Sequence, residues 1–158
     1  MFNRMTRCVL ALALALGLGT SAQAADTILT ATHNGQTRTF DRAELEALGT
    51  ASIETTTIWT EGVQTFEGVP LAVLMQELGA QDGKILATAI NDYTIEIPLS
   101  DATENGPILA LKMNGEQMSV RDKGPVWVVY PYDADADYRT EVIYSRSIWQ
   151  LDRIEVVE

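Results

Sequence analysis

The fold class is decided by residues 53–79, which read IETTTIWTEGVQTFEGVPLAVLMQELG. The first part is rich in Thr, Ile and Val, and it predicts two strands, at Ile53–Trp59 and at Val63–Phe66. After Pro70, apolar residues recur at helical spacing until Gly79, which predicts an amphipathic helix. Two adjacent strands followed by one helix, without the regular alternation of a parallel α/β protein, indicate an α+β domain.

Toward the N-terminus, local signals predict a hairpin and a second helix. The Asn-Gly pair at 34–35 is a strong hairpin signal, and the alternating residues around it predict strands at Thr27–Thr32 and Gln36–Phe40. A helix is predicted at Arg42–Leu48, because Asp41 is a good N-cap with a Glu three positions later.

Toward the C-terminus, strand-like runs follow one another with turn residues between them. The predicted strands are Lys84–Ile90, Tyr93–Ile97, Ile108–Met113, Gln117–Val120, Val126–Tyr130 and Asp152–Val157. Together with the two helices, they predict a single α+β domain of mixed β-sheets with a few short helices.

Residues 1–24 have the three parts of a secretory signal peptide. Arg4 and Arg7 form a positive leader, Val9–Leu18 is an uninterrupted apolar stretch, and Ala22 and Ala24 supply the small residues of a cleavage site. This apolar stretch is too short to span a bilayer. We expect a mature domain at 25–158 that is periplasmic or secreted, with no direct membrane insertion after cleavage.

The charge of the chain argues against polyanionic partners. It has 11 Lys and Arg against 22 Asp and Glu, a net charge of −11 at pH 7. Arg4 and Arg7 lie in the predicted leader, so the mature domain would carry 9 bases against 22 acids, a net charge of −13. Nucleic acids and anionic bilayers are bound through many Lys and Arg contacts, so neither is expected as a partner. The expected partner is a small molecule, or an unidentified exported or membrane protein.

Few side chains suit metal or nucleophilic chemistry, and no catalytic or metal-ligating residue is predicted. The only cysteine, Cys8, lies in the leader, so the mature domain would have no thiolate. The only histidine, His33, is interpreted as a solvated residue of the first hairpin. Asp133, Asp135 and Asp137 are spaced like the start of a calcium loop, but its later Gly and Glu are missing, so a solvated acidic loop is preferred.

An ordered set of motifs resembles a known family. The motifs are Gly68–Leu71 before a helix, Asn91–Tyr93 before a strand, Leu109–Glu116, Gly124-Pro125 before an apolar strand, and Trp149–Val156. In this order they resemble the sulfite-oxidase type of oxidoreductase molybdopterin-binding domain, over residues 40–156. The resemblance implies that family's mixed α+β fold and suggests molybdopterin as the cofactor.

The chain departs from that family where the cofactor is held. The family ligates molybdenum through a cysteine that follows a strand, and the resemblance places this position within Thr55–Trp59, where there is no cysteine. A His before the proline that matches Pro125 is also absent, and Trp127 stands at the position of the family's Arg. The cofactor is therefore left unknown, because losing a bidentate Arg weakens the binding of a phosphate-bearing ligand.

The resemblance also implies where the binding cleft lies. Residues 55–59, 91–93 and 121–127 would converge there, and the candidate binding residues are Trp59, Asn91, Asp92, Tyr93, Arg121 and Trp127. With Arg121 as its base and two tryptophans, the site would suit a small neutral or singly anionic aromatic ligand. The alternative is that Trp59 and Trp127 fill the cleft and close it.

Two functions remain open at this point. The preferred one is an exported, non-catalytic domain that binds a small ligand or acts as a sensory module on the molybdopterin-domain fold. The alternative is a molybdopterin-dependent oxidoreductase subunit with a modified cofactor site. Whether the chain is an enzyme is left undecided.

Overall fold

The computed structural model describes residues 25–158, and the predicted signal peptide at 1–24 lies outside them. The strands in this part of the chain are β1 (Leu29–His33), β2 (Gln36–Phe40), β3 (Ala51–Thr55), β4 (Gln64–Pro70), β5 (Lys84–Ala89), β6 (Thr94–Pro98), β7 (Ile108–Met113), β8 (Glu116–Gln117), β9 (Trp127–Val129) and β10 (Leu151–Val157). The α-helices are α1 (Arg42–Leu48), α2 (Leu71–Leu78) and α3 (Glu141–Arg146). The predicted α+β class is confirmed.

The first sheet has the strand order β2-β1-β10-β5-β6. β1 runs parallel to β10 and the other neighbours are antiparallel, so the sheet is mixed. The predicted hairpin joins β1 to β2, and Asn34 and Gly35 take the positive φ values of 50° and 72° that a tight two-residue turn requires. Leu151 at the start of β10 pairs with Ala89 at the end of β5. The segment before β10 therefore lies beside the β5–β6 turn.

The second sheet has the order β3-β4-β7, with β8 and β9 both paired to β7. β7 and β9 are almost wholly buried, as their near-continuous apolar sequences indicate. Side chains from both sheets enter one hydrophobic core, and its largest fully buried members include Trp127, Tyr130, Tyr132 and Phe66. The aromatic residues of β9 and the loop after it thus lie between the two sheets.

The two predicted helices are confirmed with their predicted bounds. A capping box precedes α1: the Asp41 carboxylate accepts from the Glu44 backbone N–H at 2.8 Å, and the Glu44 carboxylate accepts from the Asp41 N–H at 2.9 Å. α2 buries its apolar face and ends at Gly79, which is left-handed with φ 73°. Within residues 25–158, every helix is too short or too polar to cross a bilayer.

The strand predicted at Ile53–Trp59 is wrong in its second half. β3 ends before Thr56, because the next backbone groups bond to side chains rather than to a neighbouring strand. The Thr56 N–H donates to the Asp133 carboxylate at 2.6 Å. The Trp59 N–H donates to the Thr57 hydroxyl at 3.0 Å in a local turn. Trp59 therefore lies in a loop, although the strand propensity of Ile53–Trp59 predicted a β-strand there.

The other large differences concern β4, β8 and α3, whereas the bounds of the remaining strands differ from the predictions by at most two residues. β4 continues past Phe66 to Pro70, because it pairs with β7 over that length. β8 is shorter than the predicted Gln117–Val120, since Val120–Asp122 forms a 3₁₀ helix. α3 was not predicted, because its 6 residues are too few to show a helical period.

His33 is buried, so its interpretation as a solvated turn residue is wrong. Its side chain is on the inner face of β1, and the residue is 8% exposed. Nδ1 donates to the Leu78 carbonyl oxygen at 2.9 Å, at the end of α2. The alternation of β1 explains this burial, since Leu29, Ala31 and His33 share the face that packs on the core.

Candidate functional site

A cavity of about 350 Å³ opens where three loops meet. These are the loop after β3, the β5–β6 turn, and the segment between α3 and β10. The side chains of its wall include Trp59, Asn91, Tyr93, Tyr144, Trp149 and Gln150. We call this cavity the aromatic cleft.

A larger groove of about 600 Å³ lies beside α2. Its walls carry no aromatic side chain and none of the predicted site residues. The aromatic cleft is smaller, but its volume is within the range of small-molecule pockets and its walls combine aromatic rings with a few polar groups. It is therefore the candidate functional site.

Trp59 is the centre of an aromatic cluster beneath this cleft. Its ring centroid lies 5.8 Å from that of Trp127, 6.2 Å from Tyr132, 5.7 Å from Tyr144 and 5.6 Å from Trp149. All four pairs are edge-to-face, which is a favourable arrangement of aromatic quadrupoles. These rings position Trp59, although it lies outside any strand.

Ser147 connects the buried aromatics to the segment that forms the far wall. Its hydroxyl accepts from the Tyr132 phenol at 2.6 Å and donates to the Ile143 carbonyl at 2.9 Å. Its carbonyl accepts from Trp127 Nε1 at 3.2 Å. Burial raises the pKa of Tyr132 to about 12, so its phenol stays neutral near pH 7. Tyr132 therefore acts as a hydrogen-bond donor here.

A second polar group holds α3 behind the cleft. The Asp101 carboxylate accepts from the Tyr130 phenol at 2.8 Å and from Arg146 of α3 at 2.9 Å. Burial, and then the neighbouring Asp101 charge, raise the pKa of Tyr130 far above its usual range. Because the phenol stays protonated, it satisfies the carboxylate together with the guanidinium. This network fixes the helix that carries Tyr144 to the loop after β6.

The structure brings three of the six predicted site residues to the wall of the aromatic cleft. Trp59, Asn91 and Tyr93 line it. Asp92 does not, because its carboxylate forms an ion pair with the guanidinium of Arg153. Asp92 is a turn residue with φ 66°, a conformation that Asp tolerates better than most side chains.

Trp127 is a core residue. It is 0% exposed and lies behind Trp59, with its ring also against Phe66 at 5.2 Å between centroids. The alternative prediction, that tryptophans fill the cleft, therefore holds for Trp127. It does not describe Trp59, which is only partly buried and stands on the wall of an open cavity.

The basic residue against the cluster is Lys123, whereas Arg121 had been expected as the base of this segment. Lys123 Nζ lies 5.6 Å from the ring centroid of Trp127 and 5.7 Å from that of Trp149. Arg121 is exposed on the 3₁₀ helix and is not part of the cleft wall. Lys123 lies within residues 121–127, the segment that was expected to converge on the cleft, so the sequence could have suggested it as a candidate base.

Sequence reasoning also missed Tyr144 and the full role of Trp149. Both belong to the wall, and the segment from Tyr144 to Gln150 supplies much of it. Trp149 was recognised only as part of a closing motif. The signal in the sequence was Thr140, a residue type that is common at helix N-caps, and in the structure its hydroxyl accepts from the Ile143 N–H at 3.3 Å. Predicting α3 from it would have indicated that Tyr144 lies on a helix before the closing motif.

A molybdenum–pterin group does not fit the donor set of this site. Residues 25–158 contain no cysteine, and the cleft wall carries no Arg, Lys or His. At the start of the segment expected to contain the ligand position, the Thr55 hydroxyl is engaged, since it accepts from the Asp133 N–H and donates to the Thr56 carbonyl, both at 3.1 Å. The thiolate that the resemblance implies is thus missing from residues 25–158, and the cations that would bind a phosphate are missing from the cleft wall.

The acidic loop forms hydrogen bonds with the protein backbone. The Asp133 carboxylate accepts from the backbone N–H and the hydroxyl of Thr56, and these bonds lower its pKa. Asp135 accepts from the Asp137 N–H at 2.9 Å. Among residues 25–158, no three His, Cys, Asp or Glu side chains are grouped so that they could hold a metal ion. The structure gives Asp133 a role in shaping the loop that leads to Trp59.

A protein-family model described as "Oxidoreductase molybdopterin binding domain" matches residues 23–138, more than half of the chain. This range includes all six predicted site residues, and it ends before Tyr144 and Trp149. No curated protein matches the chain.

Proposed function

Because the chain belongs to the oxidoreductase molybdopterin-binding domain family, we propose that it uses that family's fold as a non-catalytic module that binds a small aromatic molecule. The observation that carries the proposal is the aromatic cleft, a cavity of about 350 Å³ beside the loop where the family's cysteine is expected. Fold and function separate readily in this way, since activity depends on a few site residues.

The chemistry of the cleft wall supports binding over catalysis. It contains aromatic, amide, hydroxyl and aliphatic side chains, and no carboxylate, imidazole, thiol or amine. The groups that most often perform general acid–base catalysis near neutral pH, His, Asp and Glu, do not line this cavity. Because the wall is mostly apolar with a few hydrogen-bonding groups, it suits a ligand that is held by ring contacts and oriented by Asn91 or Gln150.

The size of the cavity limits the ligand to one or two rings. Its volume of about 350 Å³ is near the lower end for small-molecule sites. Trp149 is 37% exposed and Tyr93 is 55% exposed, so both rings are available for stacking. Edge-to-face or offset contacts with such rings would hold a flat molecule.

The proposal includes export and a signalling role. The leader-like pattern of residues 1–24 supports a periplasmic or secreted location. A binding module in that compartment would report its ligand to an exported or membrane protein. A ligand bound in the aromatic cleft would cover Tyr93 and Trp149, and the partner protein would respond to this change in their exposure.

The experiment is ligand-dependent stabilisation of the protein purified from its exported fraction. Aromatic probes of one or two rings should raise the melting temperature of the wild type, because a ligand that binds only the folded state stabilises it. Trp149→Ala should abolish the shift. Val142→Ala, which shortens an exposed apolar side chain of α3 outside the wall, is the matched control and should keep it.

Metal analysis of the same sample separates the two candidate functions. Molybdenum at one atom per chain would overturn the binding proposal in favour of an oxidoreductase subunit with a modified cofactor site. A molybdenum-free sample that is stabilised by aromatic probes is the expected result.

A further inference from the structure

Lys123 differs from most other bases of the structure in how its charge is compensated. Arg38, Lys84, Lys112, Arg146 and Arg153 each lie within ion-pair distance of a carboxylate. Among residues 25–158, no carboxylate lies within ion-pair distance of the Lys123 ammonium, and the ammonium donates no side-chain hydrogen bond. Its charge lies instead over the rings of Trp127 and Trp149. Three N–H donors are thus available beside a ring that lines the aromatic cleft.

The backbone of Lys123 fixes it to that wall. Its carbonyl accepts from the Gln150 N–H at 2.9 Å, and the Gln150 side chain in turn donates to the Val120 carbonyl at 2.6 Å. Gln150 lines the cleft. The position of the ammonium therefore depends on the same segment that forms the cavity.

Lys123 occupies a backbone conformation that favours other residues. Its φ is 72°, in the left-handed region, where Gly or Asn costs less than Lys. A strained backbone at a site, together with an uncompensated charge, is a reason to expect a role for the side chain.

We propose that the ligand of the aromatic cleft is an aromatic carboxylate, whose ring lies against Trp149 and whose carboxylate accepts from Lys123 Nζ at the rim. This inference rests on the proposed function and specifies its ligand. A carboxylate fits because one ammonium balances one negative charge. A phosphate dianion would require several donors, and the cleft wall supplies no Arg.

The carboxylates next to Lys123 in sequence and in the β5–β6 turn agree with a single anchoring charge. Asp122 is held by the Ser119 hydroxyl at 2.7 Å, and Asp92 is held by Arg153. Neither carboxylate lies within ion-pair distance of Lys123. With a net charge of −11, the chain repels polyanions, so an anion must be small and locally matched to bind here.

The test compares 2-naphthoate with its neutral analogue 2-naphthamide by calorimetric titration of the exported protein. The wild type should bind naphthoate about tenfold or more tightly than naphthamide, as expected for a charge-assisted hydrogen bond. Lys123→Met should bring naphthoate to within about twofold of naphthamide and leave naphthamide unchanged, because Met keeps the apolar stem.

Two control variants separate Lys123 from other bases. Lys84→Met removes the same charge at the opposite end of β5 from the cleft, and it should retain the preference. If Arg121→Met removes the preference and Lys123→Met does not, the assignment to Lys123 is overturned. Should Lys123→Met fail to fold, the wild type in about 1 M NaCl provides the readout, since screening should reduce the preference for naphthoate.

The outcomes distinguish this inference from the proposed function. If both probes bind equally and Trp149→Ala abolishes the binding of both, the proposal that the ligand is a carboxylate is overturned, whereas the proposed aromatic binding site is supported. Failure of both probes to bind the wild type would overturn the binding site and the carboxylate together. A preference that persists unchanged in Lys123→Met would likewise overturn the proposed contact.

Discussion

The 3 tryptophans of the chain lie at different depths around one cavity. Trp127 is 0% exposed, and its indole N–H donates to the Ser147 carbonyl. Trp149 is 37% exposed and lies on the cleft wall. Trp59 lies between them and contacts both rings. Burial therefore separates a structural tryptophan from one that is available to a ligand, although the residue type is the same.

Trp127→Ala should destabilise the fold strongly. Truncating a fully buried tryptophan leaves a cavity and an unpaired Ser147 carbonyl, and typically costs about 3–5 kcal/mol of unfolding free energy. Trp149→Ala should cost less than about 1.5 kcal/mol, because part of its ring is already in water. Urea unfolding followed by circular dichroism measures both. Similar losses for the two variants would contradict the roles assigned here.

At the scale of elements, the contact between β4 and β7 determines how the second sheet is built. The register shifts between Glu67 and Gly68, and β7 approaches β4 closely at this point. A Cβ on Gly68 would lie 1.9 Å from the Leu109 carbonyl oxygen, which is far inside contact distance. Only glycine fits there without moving a strand. The motif that begins at Gly68 is thus explained by packing between strands.

Gly68→Ala should therefore cost at least about 3 kcal/mol of unfolding free energy, or prevent folding, since backbone atoms must move to admit the methyl group. Gly115→Ala is the matched control. Gly115 has φ 81° in an exposed turn with open space around it, so its substitution should cost only about 1 kcal/mol of conformational strain. Thermal unfolding compares them, and a smaller loss for Gly68→Ala than for Gly115→Ala would refute the argument.

At the scale of the whole molecule, stability comes from the shared core of the two sheets. The surface ion pairs add little, as the Lys84–Glu96 pair illustrates: its side chains are 47% and 61% exposed. The remaining excess of acidic groups repels itself and does not favour folding. A domain of this size buries about two-thirds of the surface of its unfolded chain, which is enough for a stable core.

Chelator and reductant should therefore leave the melting temperature unchanged to within about 1 °C, because residues 25–158 contain no cysteine and no group of three side chains that could hold a metal ion. The measurement is a calorimetric scan of the purified protein with EDTA, with dithiothreitol, and with neither. A drop of several degrees in EDTA would show that a metal contributes to stability, and the description of the site would have to change.

Much of the fold could be predicted from local sequence. The turn at 34–35, the capping box at Asp41 and the helix that ends at Gly79 each act over a few residues, and the structure contains all three. The end of β3 could not be predicted, since it depends on Asp133, which is 77 residues from Thr56 in sequence. The β-propensity of residues 56–59 does not show that a distant carboxylate bonds to their backbone in place of a neighbouring strand.

Local sequence signals were sufficient to predict the α+β class, the short helices α1 and α2 and the hairpin at 34–35, because turn, cap and periodicity signals act between near neighbours. Tertiary packing was needed to establish which of the aromatic residues form a cavity and which base lies against them. Trp59, Tyr93 and Trp149 meet only when a loop, a turn and the segment before β10 are packed on one core. Side-chain burial at such a point depends on all the surrounding elements at once, and no short stretch of sequence specifies it.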